Sequence, residues 1–261
     1  MNLTEQQIHF DEQVIYLKQW LPETDNGKSP IILFHDSLGS VELWRDFPVL
    51  LSERTNRTVI AYDRLGFGQS STLRDIPKLN FIEQEAHTIF KKLIEYLHLD
   101  SFILMGHSVG GGIATCCAAT YLERTKALIT IAAQSFVEEK TLQGIREAKL
   151  LFQKPKQMLR LEKYHPQKAE WVLNAWTETW CHPNFISWSL IPKLKKISCP
   201  NLIIHGELDE YGSNIQAENF KAYTLGSSEL KILQGLHHLP HKENLDLVLG
   251  LVQKFLIKFK V

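Results

Sequence analysis

The sequence predicts an α/β fold in which a mostly parallel central sheet is flanked by helices and interrupted by one helical insertion. Short β-rich runs alternate with helix-length amphipathic runs, the alternation typical of βαβ units. Several strand-like runs are continuously apolar, as expected for strands buried on both faces of a sheet. One long segment of helical pattern breaks the alternation, and the alternation then resumes.

These patterns assign the elements in chain order. We expect strands over 13–20, 31–35, 58–62, 102–105, 128–132, 202–205 and 230–233. We expect helices over 43–54, 82–97, 109–122, 215–223 and 244–258. The helix over 82–97 has the clearest apolar face, because its apolar residues recur at intervals of three or four.

The segment 136–198 is the insertion. It combines a helical pattern with charged residues, prolines and four of the six tryptophans of the chain. Active-site covers are commonly built from such insertions. The sequence therefore predicts an α/β core formed by residues 1–135 and 199–261, with a helical cap or lid formed by 136–198. Most cap tryptophans should pack its helices, and we expect one or two of Trp44, Trp180 and Trp188 to reach a substrate pocket.

Composition argues against several classes of function. Lys+Arg and Asp+Glu balance at 29 each, so no basic excess is available to neutralise a nucleic-acid backbone. No run approaches the ~18 apolar residues of a membrane span, and the N-terminal residues do not resemble a signal peptide. The cysteine spacing fits neither a disulfide framework nor a metal site, and no dinucleotide-binding fingerprint is found. We therefore expect a cytoplasmic protein with no cofactor, metal, nucleic-acid or membrane partner; the oligomeric state stays open.

One pentapeptide carries the strongest functional signal. Gly106-His107-Ser108-Val109-Gly110 matches G-x-S-x-G and stands between a predicted strand and a predicted helix, the context that this motif requires. The serine would stand on a sharp turn at the end of the sheet, where the flanking glycines allow close backbone approach. Ser108 is therefore the candidate nucleophile.

Five segments together resemble the α/β-hydrolase superfamily, and the resemblance covers nearly the whole chain. In order they are His35-Asp36-Ser37-Leu38-Gly39-Ser40, Asp63-Arg64-Leu65-Gly66-Phe67-Gly68-Gln69-Ser70, the Ser108 pentapeptide, Gly206-Glu207-Leu208-Asp209 and Gly235-Leu236-His237-His238. The chain order Ser, Asp, His is the one that this fold uses. The stretch from Trp180 to Ile204 is similar to a largely uncharacterised bacterial group of capped serine hydrolases.

The resemblance implies a role for each residue of a catalytic site. Ser108 would be the nucleophile, His238 the general base, and Asp209 the acid that orients the imidazole. The backbone N–H groups of Ser37 and Val109 would form the oxyanion hole.

Two departures from the family pattern bear on these roles. His237 stands where the family usually has glycine, so His237 and His241 remain alternative bases. Asp36 also replaces a glycine, and an ionised carboxylate that faced the oxyanion would oppose catalysis. We therefore expect the Asp36 side chain to turn away from the reacting atoms.

The implied activity is cleavage of a carboxylic ester or thioester of a small to medium acyl group through an acyl-enzyme. Carbon–carbon bond hydrolysis and cofactor-free perhydrolysis use the same triad and remain alternatives. A non-catalytic ligand-binding role is a further alternative, since fold does not determine function. A serine at position 108 disfavours dehalogenase and epoxide hydrolase chemistry, which uses a carboxylate there.

Overall fold

The chain is built around a twisted central sheet, seen in a computed structural model that describes residues 2–24 and 26–261. Within that part, the strands are β1 (Asn2–Phe10), β2 (Gln13–Leu21), β3 (Ile31–Phe34), β4 (Val59–Tyr62), β5 (Phe102–His107), β6 (Thr125–Ile131), β7 (Asn201–Gly206) and β8 (Ser228–Leu233). Their order across the sheet is β1-β2-β4-β3-β5-β6-β7-β8. All neighbours from β4 to β8 pair in parallel, whereas β2 runs antiparallel to both β1 and β4. The predicted fold class is confirmed.

Helices connect the strands. They are α1 (Phe47–Thr55), α2 (Phe81–Gln84), α3 (Ile89–Tyr96), α4 (Val109–Thr120), α5 (Glu139–Leu151), α6 (Pro155–Glu162), α7 (Ala169–Trp180), α8 (Ile191–Leu194), α9 (Asn214–Tyr223), α10 (Pro240–Glu243) and α11 (Leu245–Lys258). Across residues 2–24 and 26–261, none of them combines the length and the hydropathy that crossing a bilayer requires.

The hydrophobic core has two layers because side chains of the buried strands alternate between the faces of the sheet. On one face, Ile32 and Leu104 pack with residues of α3, α4 and α9. On the other face, Leu33 and Ile103 pack with residues of α1 and α11. Burial on both faces explains why the central strands are continuous apolar runs in the sequence.

Strand β1 is missing from the sequence prediction. Its nine residues pair with β2 along their whole length, yet Ile8 is the one residue of β1 that is fully buried. An edge strand with polar side chains on both faces lacks the apolar periodicity that identifies a strand, so only the pairing with β2 determines its conformation.

The helix expected over 82–97 is divided into two. A 3₁₀ turn over Glu85–His87 separates α2 from α3, and Thr88 leaves the helical region with φ −115° and ψ −103°. The Thr88 hydroxyl donates to the Gln84 carbonyl, a local bond by which threonine competes with regular helix geometry.

The segment 136–198 contains α5 to α8 and lies between β6 and β7. An isolated β-bridge between Phe136 and Ser189 joins its beginning to its last third. Leu142, Ile145 and Trp180 of this segment pack into the same apolar cluster as α4. The division of the chain into a core and a cap stays a prediction.

Candidate active site

Ser108 stands on a strained turn at the carboxyl end of β5. The strand ends at His107 and α4 begins at Val109, so Ser108 must reverse the chain direction by itself. Its φ of 55° and ψ of −127° lie in a region that residues with a side chain rarely adopt. The Ser108 N–H donates to the Ile131 carbonyl at 2.8 Å, which anchors this conformation to β6. Such strain, stabilised by its surroundings, is typical of functional sites.

The glycines of the pentapeptide are required by space. A Cβ atom on Gly106 would lie 2.1 Å from the Gly110 carbonyl oxygen, and one on Gly110 would lie 2.1 Å from the Phe34 carbonyl oxygen. Neither contact can be relieved by a side-chain movement, because the obstacles are backbone atoms. The motif therefore reflects the close packing of α4 against β3 and β5.

His238 and Asp209 form a hydrogen-bonded pair. The His238 Nδ1 lies 2.9 Å and 2.8 Å from the two carboxylate oxygens of Asp209. Asp209 is completely buried, and its Oδ1 also accepts the N–H groups of Tyr211 and Gly212 at 2.7 and 3.1 Å. A carboxylate that accepts several N–H groups is held in its ionised form.

The pKa values of the pair move apart. Burial raises the pKa of Asp209, but the charge and hydrogen bond of His238 outweigh burial and lower it below its ordinary value. Burial lowers the pKa of His238, but Asp209 outweighs it and raises the pKa above the ordinary value for histidine. Asp209 therefore stabilises the imidazolium form of His238, as a base that receives a proton requires.

The two alternative bases have different surroundings. His237 is exposed, and its Nδ1 lies 3.1 Å from Glu243 Oε2. His241 is buried against Trp44, and its Nδ1 has no hydrogen-bond partner in the described part of the chain. Burial lowers the pKa of His241 well below the usual value, so its imidazole is neutral. Neither ring has a buried carboxylate partner comparable to Asp209.

The Ser108 hydroxyl is directed toward Gln134. Ser108 Oγ donates to Gln134 Oε1 at 3.5 Å, and within residues 2–24 and 26–261 it forms no hydrogen bond with an imidazole. Ser108 and His238 nevertheless line the same cavity. Catalytic hydrogen bonds are often poorly aligned without substrate and tighten when it binds, so this geometry is compatible with transfer of the Ser108 proton to His238.

One candidate oxyanion donor belongs to a residue that lines the cavity, and the other belongs to the residue after Ser108. Ser37 lies in the loop after β3 and lines the cavity, and Val109 is the first residue of α4. The first N–H groups of a helix have no acceptor inside the helix. Neither backbone N–H has an acceptor among the loop and side-chain contacts of the described residues.

The two carboxylate oxygens of Asp36 contact the Leu38 N–H and the His107 ring. Asp36 Oδ1 accepts the Leu38 N–H at 2.9 Å, and Asp36 Oδ2 lies 3.1 Å from His107 Nδ1. Asp36 is still one of the residues that line the cavity. Burial raises the pKa of Asp36, but the hydrogen bond and charge of His107 outweigh burial and hold it well below the usual value.

The cavity has a volume of about 630 Å³. Its lining combines Ser108, His238, the loop after β3 and side chains from the segment 136–198. Trp180 contributes to the lining, whereas Trp44 packs against Phe47 and His241, and Trp188 packs against Phe185 and Trp180.

Sequence reasoning did not find several lining residues. Among them are Gln134, Thr141, Ile145, Trp176, Tyr211 and His107. Gln134 and Tyr211 had one usable signal, since each follows a parallel strand at the carboxyl edge where sites of α/β folds lie. Thr141, Ile145 and Trp176 had none, because their position depends on how α5 and α7 pack over the sheet.

Comparison with known proteins identifies the family. The family model described as "alpha/beta hydrolase fold" matches residues 29–165, more than half of the chain. The serine hydrolase BPHL of Mus musculus is 29% identical over 240 residues, which are 88% of this chain and 80% of that protein. The 1-acylglycerol-3-phosphate O-acyltransferase ABHD5 of Homo sapiens is 35% identical over 122 residues, 45% of this chain. The chain spans about a third of the length of that acyltransferase, since 33% of it is covered.

Solved structures agree on the fold. A bacterial membrane phospholipase A has a TM-score of 0.80 at 20% identity, with 99% of this chain and 87% of that chain covered. The proline iminopeptidase of Mycobacterium smegmatis has a TM-score of 0.73 at 19% identity, with 98% of both chains covered. At such low identity these likenesses concern the fold alone. With the family model matching more than half of its length, the chain belongs to the α/β-hydrolase family.

Proposed function

We propose that this chain is a serine hydrolase that cleaves a carboxylic ester or thioester of a small to medium acyl group. The observation that carries the proposal is the buried Asp209–His238 pair, which shares one cavity with the strained Ser108. The printed names of relatives, a serine hydrolase and a "(Lyso)-N-acylphosphatidylethanolamine lipase" of Homo sapiens 35% identical over 111 residues, support acyl chemistry.

The proposed reaction has two halves. Ser108 Oγ attacks the carbonyl carbon while His238 Nε2 takes the hydroxyl proton, and Asp209 stabilises the resulting imidazolium. The N–H groups of Ser37 and Val109 receive the negative oxygen of the tetrahedral intermediate. His238 then protonates the leaving group, which leaves an acyl group on Ser108. Water activated by His238 releases the acid in the second half.

The segment 136–198 is proposed to act as the cap of this site. Thr141, Ile145, Trp176 and Trp180 supply one wall of the cavity, and a volume of about 630 Å³ suits a small-molecule substrate. The apolar side chains of this wall would contact the acyl group. A cytoplasmic location, a small-molecule substrate and the absence of a nucleic-acid partner stay predictions.

The test is removal of the nucleophile. Ser108→Ala should lower turnover of short p-nitrophenyl esters by about 10³-fold or more, and a fluorophosphonate probe should label the wild-type chain at Ser108 alone. Ser187→Ala removes an exposed serine of the segment 136–198 and serves as the control, with labelling and turnover unchanged. Turnover of Ser108→Ala equal to that of the wild type would end the proposal.

A substrate panel decides which bond is cleaved. Esters, thioesters and dienoic diketones should be compared under identical conditions, because carbon–carbon hydrolysis uses the same three side chains. The proposal expects the esters or thioesters to give the highest kcat/KM.

A further inference from the structure

Two hydrogen bonds through the buried ring of His107 connect three of the four segments that carry the candidate catalytic groups. Asp36 Oδ2 lies 3.1 Å from His107 Nδ1, and His107 Nε2 lies 2.8 Å from the His238 carbonyl oxygen. His107 is 1% exposed. Asp36 immediately precedes Ser37, and His107 immediately precedes Ser108. The two hydrogen bonds therefore involve residues adjacent to the proposed oxyanion hole and to the candidate nucleophile.

The two hydrogen bonds determine the number of protons that the pair must hold. A carbonyl oxygen only accepts, so His107 Nε2 must carry a proton and donate it to His238. A neutral imidazole has no second N–H, and its bare Nδ1 would then face the Asp36 carboxylate, with two acceptors in contact. A second proton must therefore lie between His107 Nδ1 and Asp36 Oδ2.

We propose that Asp36 and His107 share this buried proton and that the shared proton keeps the edge of the oxyanion hole electrically neutral. The pair has no net charge in either form, whether it is carboxylate with imidazolium or carboxylic acid with imidazole. An unpaired Asp36 carboxylate beside Ser37 would repel the oxyanion, because electrostatic effects are strong where water is excluded. The catalytic consequence rests on the proposed function; the shared proton itself does not.

Other charged and titratable groups surround the pair on every side. They are Lys242, His35, Arg64, His165, Tyr211, His238 and His241. Lys242 and Arg64 supply positive charge, and the Arg64 Nη2 donates to the Asp36 backbone carbonyl at 3.0 Å. The ring of His241 lies 4.6 Å from that of His107 and is neutral.

The geometry of the two contacts, not the surrounding charge, requires the second proton. Burial lowers the pKa of His107, and the hydrogen bond and charge of Asp36 reduce this shift without reversing it. Loss of the shared proton as the pH rises leaves one negative charge beside Ser37, so kcat should fall as that proton is lost.

Nuclear magnetic resonance of the resting wild-type chain tests the proton count without any substrate. The ¹⁵N shifts of the His107 ring and the ¹³C shift of the Asp36 carboxyl should together account for two protons at neutral pH. A neutral imidazole with a single N–H beside an ionised Asp36 would overturn the proposal. This measurement stays decisive even if Ser108 proves not to be a nucleophile.

Variants test the catalytic consequence. His107→Ala leaves the Asp36 charge unpaired and should lower kcat for a p-nitrophenyl ester by about 10²-fold, with a smaller change in KM. Adding Asp36→Asn to His107→Ala removes the unpaired charge and should raise kcat at least about tenfold above that of His107→Ala. Asp36→Asn alone should lower kcat less than His107→Ala does, and its pH profile should lack the decline that loss of the shared proton causes in the wild type.

His241→Ala is the matched control, because it removes a buried imidazole that packs against His107 and whose Nδ1 has no hydrogen-bond partner within residues 2–24 and 26–261. Adding Asp36→Asn to His241→Ala should not raise kcat. A kcat of the double variant Asp36→Asn/His107→Ala no higher than that of His107→Ala, with circular dichroism showing both variants folded, would contradict the proposal. That result would show that the Asp36 charge does not cause the loss of kcat.

Discussion

Asp209 acts on His238 through both its charge and its position. Its carboxylate is completely buried and is oriented by the N–H groups of Tyr211 and Gly212, so it can hold one tautomer of the His238 ring. The same charge raises the pKa of His238. Because the proposed base must be neutral to accept a proton, activity should fall as the pH falls through this raised pKa.

Replacing Asp209 with Asn separates these effects. Asp209→Asn should lower kcat by about 10²–10⁴-fold, because an amide neither selects the required tautomer of the His238 ring nor stabilises its imidazolium form by charge. The acidic limb of the kcat/KM profile should also move to lower pH, since the charge that raises the pKa of His238 is gone. The measurement is a pH series of ester hydrolysis on the variant and the wild type. An acidic limb that does not move would mean that another group controls it.

Single residues also show what a motif can and cannot indicate. Gly106, Ser108 and Gly110 were predictable because a tight turn restricts the residue types that fit. His107 occupies a variable position of that motif, and its contact with Asp36 joins residues 71 positions apart. Such a contact leaves no pattern in the local sequence. Only the tertiary structure, which brings the ends of β3 and β5 together, reveals it.

Two helices of the segment 136–198 bring apolar side chains to the cavity. Ile145 lies on α5, and Trp176 and Trp180 lie on α7. These side chains line the same cavity as Ser108. The length of the proposed acyl group that fits should therefore depend on their volume.

A larger residue at position 145 tests this. Ile145→Trp should lower kcat/KM for a medium-chain p-nitrophenyl ester about tenfold more than for the acetate, since one extra methylene in a pocket is worth about 1–3 kcal/mol. Leu150→Trp adds the same side chain to the same helix at a position that is 62% exposed, and it should change neither value. An equal loss for both esters in Ile145→Trp would indicate a general distortion instead of a shorter pocket.

Elements differ in how far their sequence predicts them. The buried strands β3 and β5 were predictable because both of their faces are covered, which leaves a continuous apolar run. Strand β1 was not, because one polar edge strand resembles a loop in composition. Its conformation depends on the backbone hydrogen bonds that β2 offers.

Across the whole molecule, several buried histidines should make folding sensitive to acid. Burial lowers the pKa of each of four rings, those of His35, His165, His205 and His241. Below the ordinary histidine pKa of about 6.5, these rings bind protons in the unfolded chain but stay neutral in the folded chain. Their contribution to stability is therefore present above that pH and is lost as the pH falls below it.

Urea unfolding between pH 7.5 and 5.5 measures this effect. The free energy of unfolding should fall with decreasing pH by up to about 1.4 kcal/mol per pH unit for each ring that stays neutral. His241→Phe removes one such ring and should make the slope less steep, whereas His87→Gln alters an exposed ring and should not. A stability that is constant over this range would contradict the argument.

By itself the sequence determined the fold class, the strand-to-helix turn that carries the candidate nucleophile, and the chain order of the candidate catalytic residues. It could do so because strand periodicity and tight turns restrict residue types locally. Only the tertiary structure decided that His107 pairs with Asp36, that Gln134 faces Ser108 and that Trp180 reaches the cavity while Trp44 does not. These contacts form between elements far apart in the chain, where packing alone selects the partner.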